Sequence, residues 1–451
     1  MQEGECVKTT SRTNHSVRVP IGAKHAETVR ARRSWAESTV WTERMLTALD
    51  KGVKGGRWYS LIDKVYDEEN LRSAFAKVKA NKGGSGVDHV TIERFEARIE
   101  EELQRLHESL RDGTYRPQAI KRSWIDKPGT KEKRPLGIPT VRDRVVQTAL
   151  RNVLEPIFER DFAEHSYGFR PGRSAKDALR RVDRLIREGY VYVVDADLKS
   201  YFDSIPQDRL MKLVRAKIAD GRVLQMIEAY LSQPIMEGLQ SHTPESGTPQ
   251  GAVISPLLSN IYLDTLDHQM SEAGYEMTRY ADDFVIQCRT RREAEEALAQ
   301  VQAWAESNGL RLHPDKTHIV DVREEGFDFL GYRFYRRGRW PRKKSLKKFK
   351  DSVRERTRRT NGHSMATIIA KVNCVLRGWY NYFKHVERWV FEMLDKWIRM
   401  RLRSILRKRR GGRGRGRGRD HQRWPNSYFA ERGLFSLLAA YESEHRQSSL
   451  R

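Results

Sequence analysis

Two adjacent carboxylates, Asp282 and Asp283, sit in the tetrapeptide Tyr280-Ala281-Asp282-Asp283, between the short runs Glu276-Met277-Thr278-Arg279 and Phe284-Val285-Ile286. Polar-tipped apolar runs of this form predict a tight β-hairpin. Neighbouring carboxylates repel each other, and burying such a pair is costly unless a cation neutralises it. Hard carboxylate oxygens suit Mg²⁺. An acidic hairpin turn without chemistry would look the same, so the tetrapeptide must be weighed with the rest of the chain. The β-rich run 190–198 ends in acid and offers a third carboxylate, Asp195 or Asp197. Strand alternation puts both on one face, so periodicity leaves the choice open. An acidic strand end and an Asp-Asp hairpin are what a two-metal nucleotidyl-transfer site needs: one ion activates an attacking 3′-oxygen, the other steadies the triphosphate and the leaving oxygen. General acid–base work by the aspartates fits less well, because two ionised neighbours serve better as ligands.

Composition points to the substrate class. The 451 residues contain 85 Lys+Arg against 60 Asp+Glu, a net charge of +25, and 38% hydrophobic residues. Two to four domains with real cores are expected, and a polyanionic partner, nucleic acid above all. The charge is uneven: residues 333–360 hold 14 Lys/Arg and 2 Asp/Glu, and residues 396–423 hold 13 Lys/Arg and 1 Asp. These two stretches carry nearly all the excess, with aromatics interleaved, so the polyanion-binding surface is expected in the C-terminal third rather than in a merely solvated charge run. No apolar run is long enough for a membrane span and the N-terminus lacks an apolar signal core, so a cytoplasmic protein is expected. Cys6, Cys288 and Cys374 are far apart, which argues against a disulfide framework or a cysteine zinc site. The 13 histidines show no ligand spacing.

Several elements must position these groups. Residues 1–40 read as a flexible basic segment. Residues 70–80 and 91–111 read as amphipathic helices, the second on Ile92, Phe95, Ile99, Leu103, Leu106 and Leu110, with Gly113 placed to stop it. Residues 120–140 predict two short strands joined by a basic turn. Residues 141–160, 256–273, 364–376 and 385–408 predict helices. The Arg-Gly alternation from Gly411 to Arg419 reads as a flexible tract suited to phosphate contact or as a plain linker.

The ordered motifs are similar to those of the bacterial group II intron reverse transcriptases, or intron-encoded maturases, from about Trp58 to Phe435. They are Gly86-Val87-Asp88, Lys133-Arg134-Pro135-Leu136-Gly137-Ile138-Pro139, Ser166-Tyr167-Gly168-Phe169-Arg170-Pro171-Gly172, Asp197-Leu198-Lys199-Ser200-Tyr201-Phe202-Asp203, Gly247-Thr248-Pro249-Gln250-Gly251 through Asn260, Tyr280-Ala281-Asp282-Asp283, Gly309-Leu310 with Lys316-Thr317, Phe329-Leu330-Gly331-Tyr332 and Arg377-Gly378-Trp379-Tyr380-Asn381-Tyr382-Phe383. The resemblance selects Asp197 over Asp195 and implies that Asp197, Asp282 and Asp283 bind two catalytic Mg²⁺ ions, with Mn²⁺ a possible substitute and Asp283 partly supporting. It implies nucleotide contacts from Lys127, Arg134, Phe202, Gln250, Gly251 and Lys316. Phe202 stands where the family places a steric gate against a 2′-hydroxyl; Lys131, Lys133 and Arg122 could substitute for the finger cations. Nucleic-acid contacts are expected from Arg377, Trp379, Tyr380, Lys384, Arg413, Arg415 and Arg417, although aromatics at helical spacing also read as core.

The implied fold is α+β, a right-hand polymerase: a flexible basic segment at 1–55, fingers at 56–189, a palm with a β-sheet core at 190–335, a helical thumb or maturase domain at 336–400, and a basic extension of DNA-binding type at 401–451. The implied function is RNA-directed DNA synthesis from dNTPs, with binding to a parent group II intron RNA, assistance to its splicing, and copying at a DNA target. The residues after Arg423 are too few for the HNH-type endonuclease of many family members. Two other readings stay open: a splicing-only RNA-binding maturase, and a domesticated reverse transcriptase (CRISPR-linked, diversity-generating or repair).

Overall fold

The Asp-Asp tetrapeptide forms the hairpin its flanks call for. Strands β6 (Glu276–Tyr280) and β7 (Asp283–Cys288) pair antiparallel with Tyr280 opposite Asp283, leaving Ala281 and Asp282 as a two-residue turn. Ala281 is left-handed, φ 60°, as a turn of the primed type requires. The computed structural model describes residues 33–126, 133–238 and 240–449. β7 pairs antiparallel with β3 (Tyr192–Asp197), and β3 with β8 (His318–Asp321), giving a four-stranded sheet in the order β6-β7-β3-β8.

Alternation sorts the two faces of this sheet. Val194, Ala196, Phe284 and Ile286 join a core that extends through the N-terminal helices. Val193, Val285 and Val320 join a second core, built mainly of C-terminal helices. Asp195 and Asp197 fall on the second face by the same two-residue period. The helices Ser255–Glu272 and Arg291–Ser307 cover the first face.

A second sheet, β2-β1-β4-β5, joins β1 (Ile120–Asp126), β2 (Lys133–Ile138), β4 (Ile235–Glu237) and β5 (Gln240–His242). The helices Glu68–Asn81 and Val141–Glu159 pack on each other as the buried heart of the N-terminal half. A third sheet, β11-β10-β9, consists of β9 (Phe327–Phe329), β10 (Tyr332–Tyr335) and β11 (Gly338–Pro341). It leads into the helices Lys343–Arg356, Met365–Phe383 and Arg388–Arg409. The α+β class read from the sequence holds. No helix among the described residues is long and apolar enough to cross a membrane.

Four expectations need correction. The helix expected over 91–111 is two, Ile92–Glu96 and Ile99–Arg111, broken at Arg98 (φ −128°, ψ 31°). The N-terminal segment is not flexible throughout: Val40 and Trp41 are buried, the Trp41 indole donates to the Asn152 carbonyl at 2.9 Å, and the helix Glu43–Lys51 buries Leu46 and Leu49. Residues 1–32, the remainder of the segment expected to be flexible, lie outside the described residues, as does Cys6. The helix expected over 364–376 runs on to Phe383, so it includes the aromatic signature. The Arg-Gly tract is folded against the helix Arg388–Arg409: the Arg407 guanidinium donates from Nε to the Arg413 carbonyl at 2.8 Å and pairs with Asp420 at 2.6 Å.

Candidate active site

The hairpin and its neighbour β3 bring Asp197 directly opposite Asp283, with Asp282 in the turn beside them. Burial, then the charges of Asp195, Asp282 and Asp197, push the Asp283 carboxyl up to about 7. Asp282 is also raised, by burial first and then by Asp197, against the pull of Arg134 and Arg279. Asp195 rises to about 7 through burial, Asp328 and Asp197. Strand alternation grouped Asp195 with Asp197, and both belong to this acidic face.

The cation nearest the cluster is Lys316, whose Nζ donates to Asp197 Oδ2 at 2.6 Å. Backbone bonds secure its loop: the His313 amide donates to the Asp197 carbonyl at 2.7 Å, and the Lys199 amide to the Arg311 carbonyl at 2.9 Å. Lys316, expected on the nucleotide, thus sits on a carboxylate and occupies the position of a counter-ion. Among the described residues no three acidic, imidazole or thiol groups stand at metal-holding spacing. The donor chemistry nevertheless fits Mg²⁺, which favours one or two carboxylates completed by water and substrate phosphate over an all-protein cage.

Backbone contacts draw the expected nucleotide residues toward this end of the sheet. The Gly137 amide of β2 donates to the Gln250 carbonyl at 2.6 Å. Gly251 is left-handed, φ 102°, and a Cβ there would stand 2.3 Å from the Gly137 carbonyl oxygen, so only glycine permits this approach. The strand so docked carries Arg134, exposed and close enough to lower the Asp282 carboxyl. Phe202 is partly buried, with its ring 5.5 Å from Tyr201, and its carbonyl accepts from the Thr248 amide at 2.7 Å. Lys127 lies outside the described residues.

The sequence reading missed the group that holds the turn. Arg279 is fully buried and donates through Nη1 to the Ala281 carbonyl and to Asn260 Oδ1, both at 2.9 Å. Its Nε reaches both Asp267 oxygens, at 2.8 and 3.0 Å. Asn260 and Asp267 share a face of one helix at a spacing of seven, and Asn260 Nδ2 donates to the Gly168 carbonyl at 2.8 Å. Gly168 lies so close to the turn that a Cβ would fall 2.2 Å from the Ala281 nitrogen. An arginine interrupting an apolar strand, with acid and amide at helical spacing upstream, was the available signal.

The C-terminal candidates divide. Trp379 and Tyr380, expected on nucleic acid, are buried: Trp379 packs against Phe349 and Phe383 with centroids at 4.6 and 4.9 Å, and Tyr380 against Phe391 at 5.6 Å. Both are corrected to core, because rings covered on their faces cannot stack on bases. Arg377 is exposed with its guanidinium over Phe435, and Lys384 pairs with Glu444 at 3.0 Å. Arg413, Arg415 and Arg417 are exposed.

Residues 125–334 match the family model described as "Reverse transcriptase (RNA-dependent DNA polymerase)", and residues 346–424 the model described as "Group II intron, maturase-specific domain". The chain is 42% identical over 196 residues to the group II intron-encoded protein LtrA of Lactococcus lactis subsp. cremoris, a match covering 43% of this chain and 32% of that protein. It is 35% identical over 318 residues to protein YkfC of Escherichia coli K12, covering 61% of this chain and 83% of that one. An uncharacterized 91 kDa protein in the cob intron of Schizosaccharomyces pombe is 29% identical over 330 residues, covering 60% of this chain and 40% of the relative. The chain therefore spans about a third of LtrA and most of YkfC.

Proposed function

The chain belongs to the group II intron reverse transcriptase/maturase family, with a right-hand polymerase fold, and on that footing we propose that it is an RNA-directed DNA polymerase that binds intron RNA, assists its splicing and copies it into DNA. The observation that carries the reading is the acid cluster on the hairpin. Three carboxylates are collected where burial and mutual repulsion raise two of them, and a lysine pairs with the third. Arg279 spends its donors fixing this turn, which supports a role needing exact placement of Asp282.

In this reading residues 56–189 are fingers, 190–335 palm, 336–400 thumb or maturase domain, and 401–451 a basic extension. Asp197 and Asp282 hold divalent metal with Asp283 behind them. Two Mg²⁺ ions bound there would activate a primer 3′-hydroxyl and neutralise the triphosphate. Arg134 steadies the incoming dNTP phosphates with a bidentate fork, and Lys127 would add a point charge. Phe202 lies under the sugar and disfavours a 2′-hydroxyl. Gln250 and Gly251 bring backbone close to the nucleotide and template. Lys316, on release from Asp197, is free to pair with phosphate.

Primer extension on an RNA template with dNTPs and Mg²⁺ tests this. The wild type extends, and Asp282→Asn falls by about 10³-fold, as removal of a principal electrostatic partner in an active site does, while binding RNA with unchanged affinity. Absence of extension by a folded, RNA-binding wild type would leave a splicing cofactor instead.

A further inference from the structure

Beside the end of the helix Lys343–Arg356, a cleft of about 200 Å³ is lined by four arginines, Arg354, Arg359, Arg401 and Arg415, together with Trp397 and Thr357; none of its lining residues is acidic. Among the described residues Arg359, Arg401 and Arg415 have no carboxylate partner; Arg354 pairs with the exposed Asp351 of its own helix. Guanidinium groups do not deprotonate in proteins, so this crowding cannot be relieved by loss of a proton.

The cleft is built rather than incidental. Arg401 is half-buried and oriented: Nε donates to Thr357 Oγ1 at 2.6 Å and Nη2 to the Thr357 carbonyl at 3.0 Å. Thr357 is buried, and its hydroxyl donates to the Val353 carbonyl at 2.6 Å. Carbonyls at a helix C-terminus favour a cation there, and Nη1 of Arg401 is left to face a ligand. The Trp397 ring is flanked by Lys350, Arg354 and Arg401 at 5.6 to 5.9 Å from its centroid. Alternation in the Arg-Gly tract supplies the fourth arginine. A Cβ on Gly412 or Gly416 would stand 2.7 Å from Arg407 or Arg403, so these glycines lie against the helix and the arginines between and beyond them face outward.

We propose that this cleft binds a backbone phosphodiester of the nucleic acid held by the chain, an inference that rests on the polymerase and maturase reading above. Forked donors on several sides match phosphate oxygens, and an aromatic ring already flanked by cations offers little to a base, so binding is independent of sequence.

The test measures affinity of the full chain carrying Asp282→Asn for 20-nucleotide single strands, without dNTP or Mg²⁺, so that failure of polymerisation and failure of the cleft are read in separate assays. The pair Arg359→Gln with Arg415→Gln is compared with Lys343→Gln and Arg358→Gln, exposed cations of the same module that remove equal charge. The cleft pair binds about tenfold more weakly and its log–log salt slope flattens by about one, while the control pair stays within about twofold. RNA and DNA strands of one sequence form the two arms. Equal losses identify phosphate alone, and a larger loss with RNA adds a 2′-hydroxyl contact. Cleft and control pairs indistinguishable in both arms would overturn the proposal.

Discussion

The palm sheet and the C-terminal helices each gather like charges, and they handle the repulsion in opposite ways. Around the hairpin, carboxylates crowd together and the conflict is absorbed by protons: Asp195 and Asp283 rise to about 7, and Lys316 covers Asp197. Around Trp397, guanidinium groups crowd together and no proton can leave. That repulsion is met with helix carbonyls and, we propose, with phosphate from outside. An acid cluster reports on itself through pH and divalent metal. A guanidinium cluster reports through salt and polyanion.

The largest effect expected with every carboxylate kept breaks the acidic side alone. In Gly168→Ala the new Cβ meets the Ala281 backbone at 2.2 Å, with no flexible side chain able to yield. The turn carrying Asp282 must move, and a shift near 1 Å costs roughly 10²-fold in rate. Extension falls by about that factor, while single-strand affinity without metal is unchanged. Retention of full extension would mean that the turn tolerates displacement and that Arg279 alone positions it.

Next in size is the pH response of the metal-free protein. A carboxyl raised in the fold contributes stability that is complete below its unfolded value, about 4, and is lost as the pH rises through about 7, the folded value for Asp195 and Asp283. Tm therefore falls by a few degrees between pH 5 and pH 8 in EDTA. Asp283→Asn flattens this fall. Added Mg²⁺ raises Tm at pH 8 and does little at pH 5. The Arg359/Arg415 pair keeps the wild-type profile. A fall that persists undiminished in Asp283→Asn would detach the pH response from the cluster.

Much of this contrast was legible in the chain. The hairpin needs only local alternation and a two-residue tip, and β3 declares its acids by the same period. Charge density alone located the basic third. What stayed hidden depends on partners remote in sequence. Trp379 and Tyr380 look the same as base platforms or as core until Phe349, Phe391 and Phe435 close over them. The break at Arg98 leaves the apolar positions on either side in helical register, so periodicity passes over it. Arg279 is charged and fully buried, which is expected only where specific partners wait.

The smallest expected effect breaks the basic side alone and asks whether the tract's fold aims its arginines. Gly416 is buried, its amide donates to Ser404 Oγ at 3.4 Å, and a Cβ would press on the Arg403 Cβ at 2.7 Å. Gly416→Ala must lift the tract from the helix and move Arg415 away from the cleft, with all charges kept. Single-strand affinity then drops about two- to threefold, in the direction of Arg415→Gln but less far, because a long arginine recovers part of the reach at some entropic cost. Gly362→Ala, where a Cβ meets nothing within 4 Å, is the matched control in the same module. Stability is unchanged in Gly362→Ala, whose exposed backbone adjusts cheaply, and falls modestly in Gly416→Ala, whose buried amide leaves Ser404. If Gly416→Ala binds as tightly as the wild type while Arg415→Gln does not, Arg415 finds its anion by its own flexibility. The basic cluster would then differ from the acidic one in a second respect: its charges would be crowded by sequence but not fixed by the fold.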